Sequence, residues 1–131
     1  MASPSDIGKT GKPVTIHIER GKIREFTKSL KDRSPLYRDE ELAAAEIGGI
    51  MPPPTFLVTL NHWDEGEGRP RVKLDLPRVL HGEQEFEYLK PIYVGDVLTG
   101  LTTVTNVFQK IGGRGGKMIF VVMDTEFTNQ K

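Results

Sequence analysis

Hydrophobic positions along the chain change period several times, and each change marks an element. Val14, Ile16 and Ile18 alternate with Thr15 and His17, which predicts a half-buried strand over residues 14–18. Between residues 21 and 31 the period lengthens. Ile23, Phe26 and Leu30 fall at i, i+3 and i+7, with Lys22, Arg24, Glu25 and Lys28 elsewhere, and a short helix follows from that spacing. Pro35 disfavours helical geometry at Ser34, so the stretch from Asp32 to Tyr37 is a break. A second short helix is predicted over 39–46, with acids in its first turn, and Gly48-Gly49 ends it. Three prolines, Pro52 to Pro54, then lead into Thr55-Phe56-Leu57-Val58-Thr59-Leu60. Residues 52–60 read first as a helix buried on most sides, with a fully buried strand as the alternative that a short apolar run leaves open.

The rest of the chain alternates like strands. Over 82–89 the acids Glu83, Glu85 and Glu87 face one way, and Gln84, Phe86 and Tyr88 the other. Residues 97–108 are rich in Thr and Val, and 118–128 set Ile119, Val121, Met123 and Phe127 on one face. A glycine-rich tip, Gly112 to Gly116, joins these two as a hairpin. Residues 1–13 have no period and read as a polar, mobile tail. The expected architecture is α+β in a single domain over 14–131: a curved antiparallel sheet packed on one central apolar helix.

Composition removes several function classes. The chain has 131 residues and no cysteine, so thiol catalysis, disulfide scaffolding and Cys-ligated zinc are out. Eighteen Lys+Arg balance eighteen Asp+Glu, which argues against a general nucleic-acid binder while leaving room for a local basic patch. No run approaches a membrane span and the start lacks a secretory apolar stretch, so a cytoplasmic protein is expected. Neither Lys117 nor Lys9 has a glycine six residues earlier, where Ile111 and Ser3 stand, so no phosphate loop exists. His62, Asp64, Glu65 and Glu67 sit in a loop without metal-site spacing and read as a solvated acidic loop, so no metal and no cofactor are expected.

Two stretches taken together resemble a known family. One runs from Phe26 through Asp32-Arg33-Ser34-Pro35-Leu36-Tyr37 to Asp39, followed by Met51-Pro52-Pro53-Pro54-Thr55-Phe56. The other runs from Val79 through Leu80-His81-Gly82-Glu83-Gln84 to Val94-Gly95-Asp96-Val97-Leu98. They are similar to the MaoC-like dehydratases, in particular to the N-terminal, fatty-acid-synthase-type half of that family. The resemblance implies a hot dog fold and pairing with a second hot dog subunit, as homodimer or heterodimer. The activity it implies is interconversion of a (3R)-3-hydroxyacyl thioester with a trans-2-enoyl thioester, on CoA or acyl carrier protein. Such chemistry needs a base for the weakly acidic Cα proton and an acid for the departing hydroxide.

Catalytic members of the family carry Asp-x-Asn-Pro-(Leu/Ile)-His. Here Asp32 is retained, Ser34 stands at the Asn position and Tyr37 at the His position. With an ordinary pKa near 10, Tyr37 is a poor general base at neutral pH. The resemblance therefore points to a non-catalytic, acyl-binding subunit whose partner supplies Asp and His, with Asp32 and Ser34 serving as turn residues. His81 is the residue that could make the chain self-sufficient; its other reading is a structural histidine at a sheet edge or interface. Gly49, Pro54, Thr55, Phe56, Leu57 and Leu60 are the candidates for the acyl-binding wall, with core packing as the alternative. Arg69, Arg71, Lys73, Lys110 and Arg114 could meet CoA phosphates or an acidic carrier protein. The family continues with another strand after residue 128, so the sheet is expected to be one strand short and its edge covered by a partner. A non-enzymatic acyl-CoA binding module and a hot dog thioesterase are the other readings.

Overall fold

Strand β1 (Val14–His17) forms where the alternation places it, with Val14 and Ile16 buried and Thr15 and His17 exposed. It pairs with β2 (Val97–Ile111), which pairs with β3 (Lys117–Asn129), giving an antiparallel sheet of order β1-β2-β3. Two α-helices follow β1: α1 (Arg20–Ser29) and α2 (Glu40–Ile47). The structure, a computed structural model, describes residues 1–114 and 116–131. Gly115 of the predicted hairpin tip lies outside the described residues. The α+β class holds, and among the described residues no helix is long and apolar enough to cross a membrane.

The chain groups into two compact units. The first comprises Met1–Val14, Asp64–Glu83 and Thr99–Thr128. Val104 and Val107 of β2 form its core with Ala2, and Val72, Leu74, Ile119, Val121 and Met123 pack against them. The face predicted for 118–128 is thus the one that packs. Residues 1–13 do not trail free as expected. Gly8 N–H donates to the Val104 carbonyl at 2.8 Å, Val104 N–H to Lys9 at 2.9 Å, and Thr10 bridges Thr103. Their polarity hid this, because the segment is held by main-chain hydrogen bonds rather than by an apolar face. Gly11 and Gly68 allow the close approach of two backbone segments, since a Cβ on Gly11 would collide with the Gly68 carbonyl.

The second unit comprises Thr15–Trp63, Gln84–Leu98 and Asn129–Lys131. Ile16, Ile18, Ile23, Ala43, Ile50, Phe56, Leu57, Ile92 and Leu98 are its buried apolar side chains. In α1 the apolar stripe is narrower than predicted: Ile23 and Thr27 are fully buried, whereas Leu30 is 52% exposed. The helix ends in a Schellman motif. Lys31, at φ 59°, donates to the Lys28 carbonyl and Asp32 N–H reaches back to Thr27 at 2.9 Å. Asp39 caps α2 by accepting from Leu42 N–H at 3.0 Å, and Gly48 closes it in the left-handed conformation. The Val94-Gly95-Asp96 run is a tight turn in which Asp96 accepts from Tyr93 N–H at 2.9 Å, with Gly95 at φ 96°.

Two predicted elements are corrected. No buried central helix occupies 52–60. A 3-10 segment begins only at Phe56 and ends at His62, with Phe56 and Leu57 buried and Val58 42% exposed. Consecutive prolines push the residue before each of them out of helical geometry, which delays the start to Phe56. The predicted strand over 82–89 is also absent. These residues have the alternation of a strand without ladder hydrogen bonds, and only Phe86 is half-buried. Alternation selects a face, but a strand also needs a neighbour to pair with. The helix stripe gives a direct check: Ile23→Ala should destabilise the folded state by about 2–5 kcal/mol through the cavity it leaves. Leu30→Ala should change it by less than about 0.5 kcal/mol. Urea denaturation of the two variants measures both.

Candidate functional site

The segment between α1 and α2 carries the family pattern, and its geometry follows from short polar side chains beside a proline. Asp32 Oδ1 accepts from Ser34 N–H at 3.0 Å, and Ser34 Oγ accepts from Leu36 N–H at 3.4 Å. These two bonds start the 3-10 turn Pro35–Tyr37, with Pro35 at its first position. Arg38 and Asp39 N–H then both donate to the Pro35 carbonyl, at 3.0 and 2.8 Å. The Asp32 side chain is therefore engaged in shaping its own turn, one of the two roles expected for it.

Tyr37 ends this turn and is half-buried. Burial, and after it the negative charge of Asp32, hold its hydroxyl above the ordinary tyrosine value. Asp32 and Tyr37 are thus brought into electrostatic range, but in a sense opposite to that of a base. The neutral phenol is the stable form here, and it can donate or accept a hydrogen bond without taking a proton at neutral pH. Arg38, next in sequence, was not singled out by pattern. Its guanidinium donates to the Asp32 carbonyl at 3.3 Å, and its Nε is buried with no hydrogen-bond partner. A buried donor left unpaired is costly. Nothing in the sequence marks it except its place directly after Tyr37.

The other candidate positions fall in different surroundings. Phe56 meets Phe26 edge-on at 5.4 Å and, with Leu57, belongs to the core of the second unit. Thr55 and Pro54 are exposed and Leu60 is half-buried. The Pro54 carbonyl accepts from the Tyr88 hydroxyl. Gly49 lies under Tyr93, where an added Cβ would come within 3.1 Å of the ring, and Tyr93 donates to the Ile47 carbonyl at 2.8 Å. Tyr88 and Tyr93 thus tie down the loop around the proline run, a role that spacing did not reveal. His81 is an exposed residue of the first unit. His17 lies against Trp63 with ring centroids 5.4 Å apart and the ring planes tilted at 39°. In the acidic loop, Asp64 accepts from the N–H groups of Gly66, Glu67 and Gly68, chiefly the last, which holds its carboxyl below the usual range. Glu67 pairs with Lys12 at 2.7 Å. Among the described residues no cluster of three potential metal ligands occurs.

A family model described as FAS1-like, dehydratase domain region, matches residues 5–131. A UPF0336 protein of Thermobifida fusca is 41% identical over 105 residues, covering 76% of this chain and 68% of the relative. Among solved structures, the HadBC (3R-hydroxyacyl-ACP dehydratase) complex from Mycobacterium tuberculosis contains a chain with TM-score 0.73 and 25% identity, over 95% of this chain and 87% of that one. A MaoC-like dehydratase from Rhodospirillum rubrum gives TM-score 0.66 at 22% identity, over 95% and 82%. The fold is the hot dog of these dehydratases.

The raised Tyr37 value makes a spectroscopic prediction. A group whose pKa is higher folded than unfolded adds stability below its unfolded value, near 10, and loses it as pH rises through the folded one. Tyr37→Phe should therefore remove part of the alkaline loss of stability. Ultraviolet titration should show Tyr37 ionising above 10, and Asp32→Asn should lower that value only in part, because burial is the larger cause. Ionisation at or below 10 in the parent chain would refute the burial.

Proposed function

We propose a function for this chain from one premise: it belongs to the FAS1-like, dehydratase domain region family, on the MaoC-like hot dog fold. The chain acts as the acyl-binding subunit of a (3R)-3-hydroxyacyl-thioester dehydratase, working equally in the direction of enoyl-thioester hydration. A second hot dog subunit, in the cytoplasm, supplies the Asp and His that take the Cα proton and protonate the departing hydroxide.

The observation that carries this reading is the state of the Asp32–Tyr37 turn. Asp32 is spent on Ser34 N–H, and Tyr37 is held as a neutral phenol where the pattern calls for a histidine. General acid–base catalysis contributes roughly 10²–10⁴-fold, and a neutral phenol with a raised pKa cannot furnish the base half of it near pH 7. Binding is a different matter. The Arg38 guanidinium, which donates to the Asp32 carbonyl at 3.3 Å, supports a role in holding the shape of the turn. Thr55, Pro54 and Leu60 are exposed or half-buried and suit acyl contact, whereas Phe56, Leu57 and Gly49 act behind them by packing. Similarity to a chain of the HadBC complex supports a two-subunit arrangement, since that protein is itself described as a complex.

The test is hydration of a short trans-2-enoyl-CoA, followed by loss of the conjugated thioester absorbance. The chain alone should give little or no turnover, and addition of a hot dog partner bearing Asp-x-Asn-Pro-(Leu/Ile)-His should raise the rate by at least about 100-fold. Arg38→Gln in the complex should raise KM more than it lowers kcat. Robust activity of the chain alone, abolished by His81→Ala, would overturn the assignment.

A further inference from the structure

In the first unit, β2 and β3 have a face turned away from their core. Ile119, Val121 and Met123 of β3 pack on Ala2, Val104 and Val107. Strand alternation then turns Met118, Phe120, Val122, Asp124 and Glu126 to the other side. The Gly112 N–H bond to the Gly116 carbonyl, at 2.8 Å, sets the register that places Phe108 opposite Phe120 and Lys110 opposite Met118. Phe108 and Phe120 stack with centroids 5.0 Å apart and planes 7° from parallel, so Phe108 shares the outer face. Met118 is 47% exposed there and Val122 38%. Contiguous exposed apolar side chains rimmed by polar ones mark a contact surface.

Charge is ordered along this face. Lys110 marks one end, with its Nζ 5.6 Å from the Phe108 centroid and 5.7 Å from that of Phe120. That cation–π contact holds the ammonium over the rings instead of letting it trail into solvent. Asp124 and Glu126, both exposed, mark the other end. Met118 to Glu126 is about 26 Å of strand. Among the described residues, none of Lys110, Asp124 and Glu126 is in an ion pair.

We propose that this outer face is a self-association surface, covered by the same face of a second copy about a twofold axis that crosses the strands near Phe120 and Val122. The operation reverses strand direction. It sets the Lys110 end of each copy against the Asp124–Glu126 end of the other and joins the two apolar centres. A parallel arrangement would put Lys110 on Lys110 and acid on acid, which costs free energy. One patch with opposite signs at its two ends is complementary to itself, as an isologous interface requires. Sheets packed face to face lie about 10 Å apart, a gap that facing Phe and Val side chains fill. The contact uses side chains alone and leaves the main-chain edge of β3 open, since β3 ends the strand order. It is therefore additional to pairing with a hot dog partner and does not rest on the thioester reading.

Sedimentation equilibrium of the full chain at low salt tests this, and a reversible dimer is expected. Lys110→Glu and Asp124→Lys should each weaken it at least about tenfold, because the twofold axis makes every change count twice. The double variant Lys110→Glu/Asp124→Lys, with the signs exchanged, should recover most of the parent affinity. Both positions are exposed, so circular dichroism equal to the parent's certifies that the variants fold. The chain has no cysteine, so Val122→Cys carries a single thiol. Its oxidation should cross-link two copies, whereas Leu76→Cys, also exposed, should stay monomeric. A parent chain still monomeric at about 1 mM, a dimer that both single reversals leave unchanged, a double variant as weak as the single ones, or equal cross-linking through Leu76→Cys overturns the proposal. Association is read without substrate or partner. Its failure would leave the dehydratase reading untouched, and absence of hydration under any pairing would leave this face standing.

Discussion

The bond from Ser34 N–H to the Asp32 carboxylate sets both the path of the chain between its two helices and the chemistry available there. The Schellman closure of α1 delivers Asp32 to the start of the turn, with Lys31 in the left-handed region and Asp32 N–H returning to Thr27. From there Asp32 and Ser34 each hold a main-chain N–H two residues on, Pro35 fixes the first 3-10 residue, and Asp39 is positioned to cap α2. Breaking the first of these links would leave the α1–α2 connection without its organising acceptor. The same link occupies Oδ1 of the carboxylate that a catalytic dyad would need. Structure and chemistry thus compete for one side chain, and at this turn structure holds it.

That competition gives the Tyr37 position its meaning. A histidine there would titrate near neutrality and could exchange protons with substrate. A tyrosine in the same place keeps a ring with a hydrogen-bonding tip but moves the proton affinity far from physiological pH. Burial and the adjacent Asp32 charge push it further in that direction. The turn thus presents a neutral phenol that can donate or accept a hydrogen bond, next in sequence to an arginine whose Nε is buried.

How much of this was legible in the sequence follows from what each pattern encodes. The strand at 14–18, both helices and the two long strands emerged because their side-chain periods are set by packing within the element's own face. The helix stripe shows the limit: Ile23, Phe26 and Leu30 share a face by spacing, but the face that meets the core is centred on Ile23 and Thr27. Residues 52–60 were misread because apolarity all round was weighed above three successive prolines, whose local geometry forbids an early start. Residues 82–89 have a strand's alternation without a strand, since pairing depends on a neighbour that no local pattern contains. The Asp32–Tyr37 turn was found only through its resemblance to a family motif. Arg38 was missed because an orphaned donor is a property of packing, and no spacing rule reports it.

Net charge misleads for the same reason that apolar content does. Eighteen cations and eighteen acids cancel in the sum, and the sum argues against polyanion binding. Yet like charges cluster at alternate positions: Arg69, Arg71 and Lys73 in one stretch, Glu83, Glu85 and Glu87 in another. Screening confines each charge to about 10 Å at moderate salt, so a ligand at the surface responds to the local charges, not to the total. A neutral chain built from separated like-charge ladders is therefore electrostatically quite different from one in which opposite charges alternate. In the first the surface can discriminate between ligands of opposite sign, and in the second it presents neither with a field.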